Sequence, residues 1–478
     1  MTSKEFRKQA HSFVDWMASY LESVENFPVK SPVIPGEIFQ SLPDHAPEKG
    51  EAMDEIFKDF QTKILPGITH WQSPNFFAYF PANSSYPSIL AEMLTATLGT
   101  QGMIWETSPA AAELEEKVMN WLLELMGFPD NFEGVIQDTA STASLAALLT
   151  AREKITKYRI NETGFNGHEN FRVYCSTETH SSIEKDMKIA GFGRRNLVKI
   201  PVDDQFRMRP DLLQEAIQND LKEGYRPLCI IATLGTTSTT SIDPLPEISA
   251  ISQQHKLWLH VDAAFAGSAL ILPEFQWMIK GIENIDSFVF NPHKWLFTNF
   301  DCSVYFVKDA KALIRTFEIL PEYLKTQTRG QVNDYRDWGV PLGRRFRALK
   351  LWFVIRSYGV SGLQEKIRYH LKLAKDLFQN IEKHPDFEIL APVPLNTICF
   401  RYHPHKIKNP EKLDQLNQTL LEEINNSGKA YFTHTRLNNK YTIRFMIGQT
   451  NTTEKHVKQA WKLIVETAEK LNTYSQPI

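Results

Sequence analysis

At 478 residues with 42% hydrophobic content, the chain is long enough to bury a large core and is expected to divide into two or three lobes. A formal net charge of −3 and the lack of a long basic run argue against nucleic acid or an acidic membrane surface as the main partner. The opening Met-Thr-Ser-Lys-Glu lacks the apolar core of a signal peptide, and no apolar run reaches membrane-spanning length. Cys175, Cys229, Cys302 and Cys399 are scattered without a Cys-x-x-Cys pair, so the expectation is a reduced, cytoplasmic protein with no cysteine-based metal site.

Phe6, Ala10, Phe13, Val14, Met17, Leu21 and Val24 recur at helical spacing, which predicts one amphipathic helix over residues 4 to 25 with no obvious local partner. Pro28, Pro32, Pro35, Pro43 and Pro47 then argue against a helix from Phe27 to Pro47, which is expected to run extended over a surface. Such a helix and arm suit the clasping of a second subunit; packing on its own domain is the alternative. Trp71, Phe76, Phe77, Tyr79, Phe80 and Tyr86 give residues 69 to 86 an aromatic density too high for an ordinary loop, and core packing is the usual role of such residues. From Glu92 to Leu125 the pattern is helical, with Leu114, Val118, Trp121, Leu122 and Leu125 on one face.

Gly134 to Ser141 lead into an alanine-rich helix from about Thr142 to Tyr158. A loop of small hydroxylated residues opening a helix offers unpaired N–H groups and the positive dipole end to an anion, which makes Thr139, Ala140 and Ser141 a candidate phosphate cradle. An ordinary Ser/Thr cap has the same sequence. Val173 to Ser176 reads as a strand, with His180 at the start of the helix that follows; a lone histidine carries no signal of its own. Cys229 to Leu234 is a buried strand leading to Gly235-Thr236-Thr237. Leu257 to Ala264 is another, and it ends in Asp262, an acid that could equally be a cap or a satisfied strand end.

Phe288-Val289-Phe290 forms the next strand, closed by Pro292 within Asn291-Pro292-His293-Lys294-Trp295. Lys294 then stands just past a strand end among Phe290, Trp295, Leu296 and Phe297. Desolvation there lowers the pKa of the amine and favours the neutral nucleophile that a Schiff base requires; a lysine snorkelling to water is the competing reading. Asp262 precedes Lys294 by 32 residues, about one strand–crossover–strand unit, so both side chains fit one carboxyl edge of a parallel sheet. A lysine bonded to an aldehyde cofactor, with an aspartate paired to a pyridinium nitrogen, is the arrangement pyridoxal phosphate needs. Residues 86 to 370, including a further strand at Cys302 to Val307, fit a doubly wound, mainly parallel sheet. Leu320 to Asp337 reads as a polar, mobile surface loop. Alternation at Phe387 to Phe400 and Tyr441 to Met446 suggests a small α+β lobe.

His260-Val261-Asp262-Ala263-Ala264 with Ala266-Gly267, Asn291-Pro292-His293-Lys294-Trp295 and Asn299-Phe300-Asp301-Cys302-Ser303 together resemble the group II pyridoxal-phosphate decarboxylases, most of all the aromatic-L-amino-acid decarboxylases. The likeness runs from the N-terminal helix to about Trp461 and includes Thr69-His70-Trp71, Phe76 to Pro81 and Pro341 to Arg347. It implies an α/β fold of the pyridoxal-phosphate transferase type (fold type I), with a seven-stranded, mainly parallel sheet. The expected domains are an N-terminal arm over 1–85 that contributes to a homodimer, a large cofactor-binding domain over 86–374 and a small C-terminal α+β domain over 375–478.

By the same resemblance His180 stacks on the cofactor ring, and Thr237, Ala264, Asn291 and His293 join Lys294, Asp262 and the cradle around the cofactor. Asp243 has the spacing of a supporting acid. Asp138 stands where the family usually has a small residue, so it should point away from the phosphate or alter the contacts there. Trp71, Tyr79, Phe80 and Pro81 match the wall of the substrate side-chain pocket, to which Ala82, Gln101, Met103, Leu342 and Gly343 are added. Tyr323 aligns with the loop tyrosine that protonates the substrate Cα after carbon dioxide leaves. Relatives that form aldehydes typically lack that tyrosine or the stacking histidine, so the presence of both favours simple decarboxylation. The pocket favours tryptophan and phenylalanine over dihydroxyphenylalanine. The alternatives are an aromatic aldehyde synthase, a decarboxylase of histidine or glutamate, and a non-catalytic binding protein on the same fold.

Overall fold

The computed structural model describes residues 1–167, 169–319 and 331–474, without the side chains of 472–474. The chain forms two compact units: Ala82–Leu371 with Ala391–Thr397 make one, and Met1–Pro81, Lys372–Leu390 and Ile398–Ile478 make the other. The N-terminal residues therefore cluster with the C-terminal ones.

The first unit is built on seven strands: β1 (Glu133–Gln137), β2 (Phe171–Ser176), β3 (Leu197–Ile200), β4 (Arg226–Thr233), β5 (Trp258–Asp262), β6 (Ser287–Phe290) and β7 (Ser303–Val307). Their order is β1-β7-β6-β5-β4-β2-β3. β7 runs antiparallel to both neighbours, and the other pairings are parallel. The buried stretches of these strands are largely apolar because both faces are covered, with Glu133, Lys199 and Arg226 exposed near strand ends. On one face Val135, Val173, Cys229, Ile231, Val289 and Tyr305 join Ala143, Ala146, Ala147 and Ala151 of the helix Ala140–Thr156 in a single cluster. The alanines let that helix lie close against the sheet, where it meets β4 to β7. The alternate residues Ile230, Leu259, Phe288 and Phe306 are equally buried, and Phe128 packs its ring on Phe288 and Phe306 at 5.0 and 5.1 Å.

The second unit carries a four-stranded sheet of β8 (Phe387–Ile389), β9 (Thr397–Tyr402), β10 (Thr433–Leu437) and β11 (Lys440–Met446), in the order β10-β11-β9-β8. The N-terminal helix, Ser3–Ser23, opens with a Thr2–Glu5 capping box. It does have a local partner, contrary to expectation: Phe13 meets Phe57 at 4.5 Å and Trp16 meets Phe60 at 5.3 Å.

Three further expectations are corrected. The helical pattern from Glu92 to Leu125 is two helices, Tyr86–Leu98 and Pro109–Met126, because Gly99 takes a left-handed conformation (φ 59°) that ends the first and Ser108-Pro109 starts the second. The proline-rich arm contains a short helix, Glu37–Ser41, since Pro35 and Pro43 flank it without interrupting it. At the end of the expected surface loop, Tyr335–Trp338 forms a buried 3₁₀ turn anchored by the Arg336 N–H on the Met103 carbonyl at 2.9 Å.

Candidate active site

Strand register brings the predicted segments to one edge. Asp262 pairs with Thr233 on β4 and Val289 on β6; Phe290 pairs with Val304, which pairs with Ile136 on β1; Ile231 pairs with Cys175 on β2. The chain thus leaves the carboxyl ends of β1, β2, β4, β5 and β6 at residues 138–141, 177–182, 234–237, 263–264 and 291–294. These are the segments that hold the expected cofactor residues, and ligands of open α/β sheets bind at this edge.

Lys294 sits in a one-turn helix, Pro292–Trp295, directly after β6. Desolvation holds its amine below the ordinary lysine range, and the negative charge of Asp262 works against that shift. Asp262 is 5% exposed, and its Oδ1 accepts the Ala264 N–H at 3.0 Å. His180 is exposed, with Nδ1 2.8 Å from Ser182 Oγ. Partial burial and the Lys294 charge lower its pKa, and Asp262 opposes them. Lys294, Asp262 and His180 are therefore within electrostatic reach of one another.

Thr139 is the N-cap of helix Ala140–Thr156, with Oγ1 3.5 Å from the Thr142 N–H. The N–H groups of Ala140 and Ser141 have no acceptor among the described residues. The expected conflict with Asp138 is resolved locally: its Oδ1 turns onto the Thr139 N–H at 2.6 Å, leaving two of the three cradle donors open. Thr237 is exposed just beyond β4. Asp243 is buried, accepting the Met208 and Thr233 N–H groups at 2.7 and 2.8 Å, and burial pushes its carboxyl up to about 7.

Asn291 and His293 face inward. Asn291 Oδ1 accepts Ser303 Oγ–H at 2.7 Å, and His293 Nδ1 accepts the Cys302 N–H at 3.0 Å. Burial and the nearby Lys294 charge push His293 down to about 3, so it is a neutral imidazole with its proton on Nε2. Ala264 is partly buried beside Asp262.

Of the expected substrate pocket, Trp71, Tyr79, Phe80 and Pro81 belong to one unit and Ala82, Gln101, Met103, Leu342 and Gly343 to the other. Trp71 and Tyr79 expose stacked rings 5.8 Å apart, Tyr79 Oη lies 3.4 Å from Tyr431 Oη, and the Arg444 guanidinium lies 5.6 Å from the Phe80 ring. In the other group, Gln101 Oε1 accepts the Arg344 N–H at 2.6 Å and Arg344 O accepts the Gly102 N–H at 2.9 Å. The space left by Gly343 is not empty, since a Cβ there would lie 3.2 Å from Gln101 Nε2. Tyr323 lies outside the described residues.

Sequence reading missed two supports. Asn83 donates Nδ2–H to the Lys294 carbonyl at 2.6 Å and its own N–H to the His293 carbonyl at 2.9 Å, and Ser85 Oγ donates to the Phe297 carbonyl at 2.6 Å. Beneath Asp262, Ser144 Oγ and Ser287 Oγ lie 3.0 and 2.9 Å from the two nitrogens of His260, which burial pushes down to about 4. Neither support has a sequence signature, although Asn83 follows the expected pocket residues Pro81 and Ala82 directly.

Residues 35–403 match the pyridoxal-dependent decarboxylase conserved domain. The chain belongs to the pyridoxal-dependent decarboxylases. It is 45% identical to phenylacetaldehyde synthase of Arabidopsis thaliana, over 98% of this chain and 96% of that one. It is 44% identical to tyrosine decarboxylase 2 of Narcissus pseudonarcissus, over 98% and 95%. Among solved structures, Catharanthus roseus tryptophan decarboxylase in complex with L-tryptophan superposes with a TM-score of 0.93 at 39% identity, covering 98% of this chain and 99% of that one.

The decarboxylase is thus a carboxy-lyase whose cofactor is pyridoxal phosphate. The residues present fit that group: a desolvated amine and a buried carboxylate flank an exposed imidazole, and a helix start with two open N–H donors lies on the same edge. Among the described residues no cluster of histidine, cysteine and acidic side chains could hold a metal ion, and no helix is long and apolar enough to cross a membrane.

Proposed function

We propose that this decarboxylase acts on an aromatic L-amino acid, releasing carbon dioxide and the corresponding arylalkylamine. The observation that carries the reading is the exposed, stacked Trp71–Tyr79 pair beside the half-buried Phe80 ring in a chain that retains Lys294, Asp262 and His180. Flat apolar rings favour an aromatic side chain over a charged one. Relatives named for tyrosine and tryptophan support the same class.

Lys294 is the amine that would carry the cofactor, and Asp262 would face its ring nitrogen. His180 offers a flat imidazole face, and Ala140 and Ser141 offer backbone donors to a phosphate, with Thr139, Thr237, Ala264, Asn291 and His293 framing the site. When bound, the cofactor supplies a sink for the electron pair left at Cα as the carboxylate departs. The chain's own task is to orient the substrate so that its Cα–carboxylate bond is the one that breaks, and to exclude water while it does. Tyr323 then delivers a proton to Cα.

The exposed apolar side chains Tyr86, Leu90, Leu94 and Leu98 on the helix Tyr86–Leu98 support a homodimer. Four free, buried cysteines suit a reducing cytoplasm. Aldehyde synthesis is the second reading, favoured by the relative named phenylacetaldehyde synthase. One experiment separates them: purified protein is incubated with tryptophan, phenylalanine, tyrosine and dihydroxyphenylalanine, and carbon dioxide, amine, aldehyde and peroxide are quantified. Amine without peroxide is expected, with Tyr323→Phe shifting the products toward aldehyde, ammonia and peroxide as dissolved dioxygen takes the two electrons and water supplies the carbonyl oxygen. Peroxide at parity with carbon dioxide in the parent protein would overturn the assignment.

A further inference from the structure

One buried carboxyl group behind the site has no part in the steps above. Asp186 lies on the helix Ser182–Ile189 and is 2% exposed, on the same inward face as Ile183 and Met187, which join the apolar cluster with Ala143 and Ala147. Its Oδ2 is buried with no hydrogen-bond partner among the described residues. Leaving a carboxylate oxygen dry and unpaired is expensive, whereas a carboxylic acid tolerates such a place.

The charges around it point the same way. Asp262, at the end of β5, sets a negative charge against Asp186, and Lys185 on the same helix opposes it weakly from the exposed side. The helix Ala140–Thr156, packed against this one, turns Ala143, Ser144 and Ala147 inward, while its Arg152 is taken up by Glu153 and the Ala190 carbonyl. Arg194, from the turn that follows, reaches Glu184 on the outer side. Burial and Asp262 together push the Asp186 carboxyl up to about 7. Asp262 itself accepts the Ala264 N–H and faces the Lys294 ammonium, partners that suit a carboxylate.

We propose that Asp186 is a positioning residue for the reaction: it and Asp262 form a carboxyl pair in which Asp262 carries the charge and Asp186 the proton. When Asp186 releases that proton to solvent, a second negative charge appears behind Asp262. In the cofactor-free protein the two carboxylates then repel. In the loaded protein the added charge strengthens the hold of Asp262 on a protonated ring nitrogen. This rests on the reading above that Asp262 faces that nitrogen.

The test uses the full chain with and without cofactor, comparing the parent with Asp186→Asn and Asp262→Asn. Because the folded Asp186 binds its proton more tightly than the unfolded chain does, its contribution is fully present at acid pH and is lost as pH rises toward about 7. The urea midpoint of the cofactor-free parent should therefore fall as pH rises toward about 7 relative to that of Asp186→Asn, and in Asp262→Asn the fall should move to lower pH. In the loaded protein, the pH midpoint of the cofactor absorbance change should shift in Asp186→Asn. Should that variant not fold, Lys185→Gln carries the test, and the stability transition moves to higher pH. Parallel urea profiles for parent and Asp186→Asn, a profile indifferent to Asp262→Asn, or an unmoved absorbance midpoint would each overturn the pair. If Asp262→Asn leaves cofactor affinity and absorbance unchanged, it is the assignment of Asp262 to the ring nitrogen that fails.

Discussion

Gly267→Ala tests whether the fit behind β6 is what positions Lys294. A Cβ at Gly267 would lie 2.3 Å from Phe290 Cβ and 3.0 Å from Phe290 Cγ. Carbon atoms in contact need about 3.5 Å, so a shift of about 1.2 Å is required. Phe290 Cβ is fixed to the backbone of a strand end, and no rotamer change moves it. The strain must pass into Ala263–Ala264, whose backbone meets β6 through the Ala263 N–H on Val289 O at 2.9 Å and the Asn291 N–H on Ala264 O at 3.0 Å. Lys294 lies three residues beyond Asn291. Overpacking of this kind costs about 1 to 3 kcal/mol of stability, and a catalytic group misplaced by about 1 Å can lose a rate factor of about 100. Gly362→Ala is the control, because its nearest neighbour, Tyr358 Cβ, would sit at an ordinary 3.6 Å within the helical segment Arg347–Glu382. It should be neutral or stabilising by up to about 1 kcal/mol. Thermal denaturation and kcat/KM for carbon dioxide release read both variants. The reasoning is refuted if Gly267→Ala matches Gly362→Ala in stability and keeps kcat/KM within about twofold of the parent.

Two further outcomes are expected. His260 stays neutral in the fold down to about pH 4 against an ordinary 6.5, so the unfolded chain takes up the proton first and stability is lost as pH falls from 6.5 toward 4. At pH 5 the loss is about 2 kcal/mol, so the urea-derived stability gap between parent and His260→Gln should narrow by about that amount between pH 7 and pH 5, and a constant gap would sink the idea. Arg344 is a buried cation that bonds Glu115 Oε1 at 2.6 Å and the Ile136 carbonyl at 2.7 Å, so Arg344→Ala should cost about 3 to 5 kcal/mol by stranding Glu115, with much of it recovered in Arg344→Met/Glu115→Leu. Additive losses in that double-mutant cycle would show the pair to be uncoupled.

Asp262 was legible because it ends a run of strand-forming residues with an acid, and Lys294 because it stands just past another such run, with a 32-residue interval between them that fits one crossover. The sheet was legible for the same reason: its strands are short, apolar on both faces and separated by helical periods. What escaped was contact over distance. Asn83 clamps Lys294 from 211 positions away, and nothing in Asn83-Ser84-Ser85 distinguishes that role from a loop. The helix Ser3–Ser23 looked unpartnered because the aromatic residues it meets, Phe57 and Phe60, sit beyond a proline-rich stretch. The break at Gly99 to Ser108 was overlooked because the apolar period on either side has the same phase, although the left-handed glycine and the Ser-Pro start were both in view.

The histidines near the site show how the fold divides roles that sequence adjacency blurs. His293 is the immediate neighbour of Lys294, yet it is a buried neutral ring whose Nδ1 is spent on the Cys302 N–H. His260, two residues before Asp262, is spent on Ser144 and Ser287. Among the described histidines it is His180, more than a hundred residues away in sequence, that presents an exposed ring reached by the Lys294 charge. Protonating either buried histidine would place an unpaired cation in the core, so both act as fixed dipoles that hold strand ends in place. Among the described residues, a protonation change felt at the open edge of the sheet occurs at His180, at Lys294 or in the carboxyl groups facing them, because these are the groups whose charge reaches it, and the proton assigned to Tyr323 is a separate contribution.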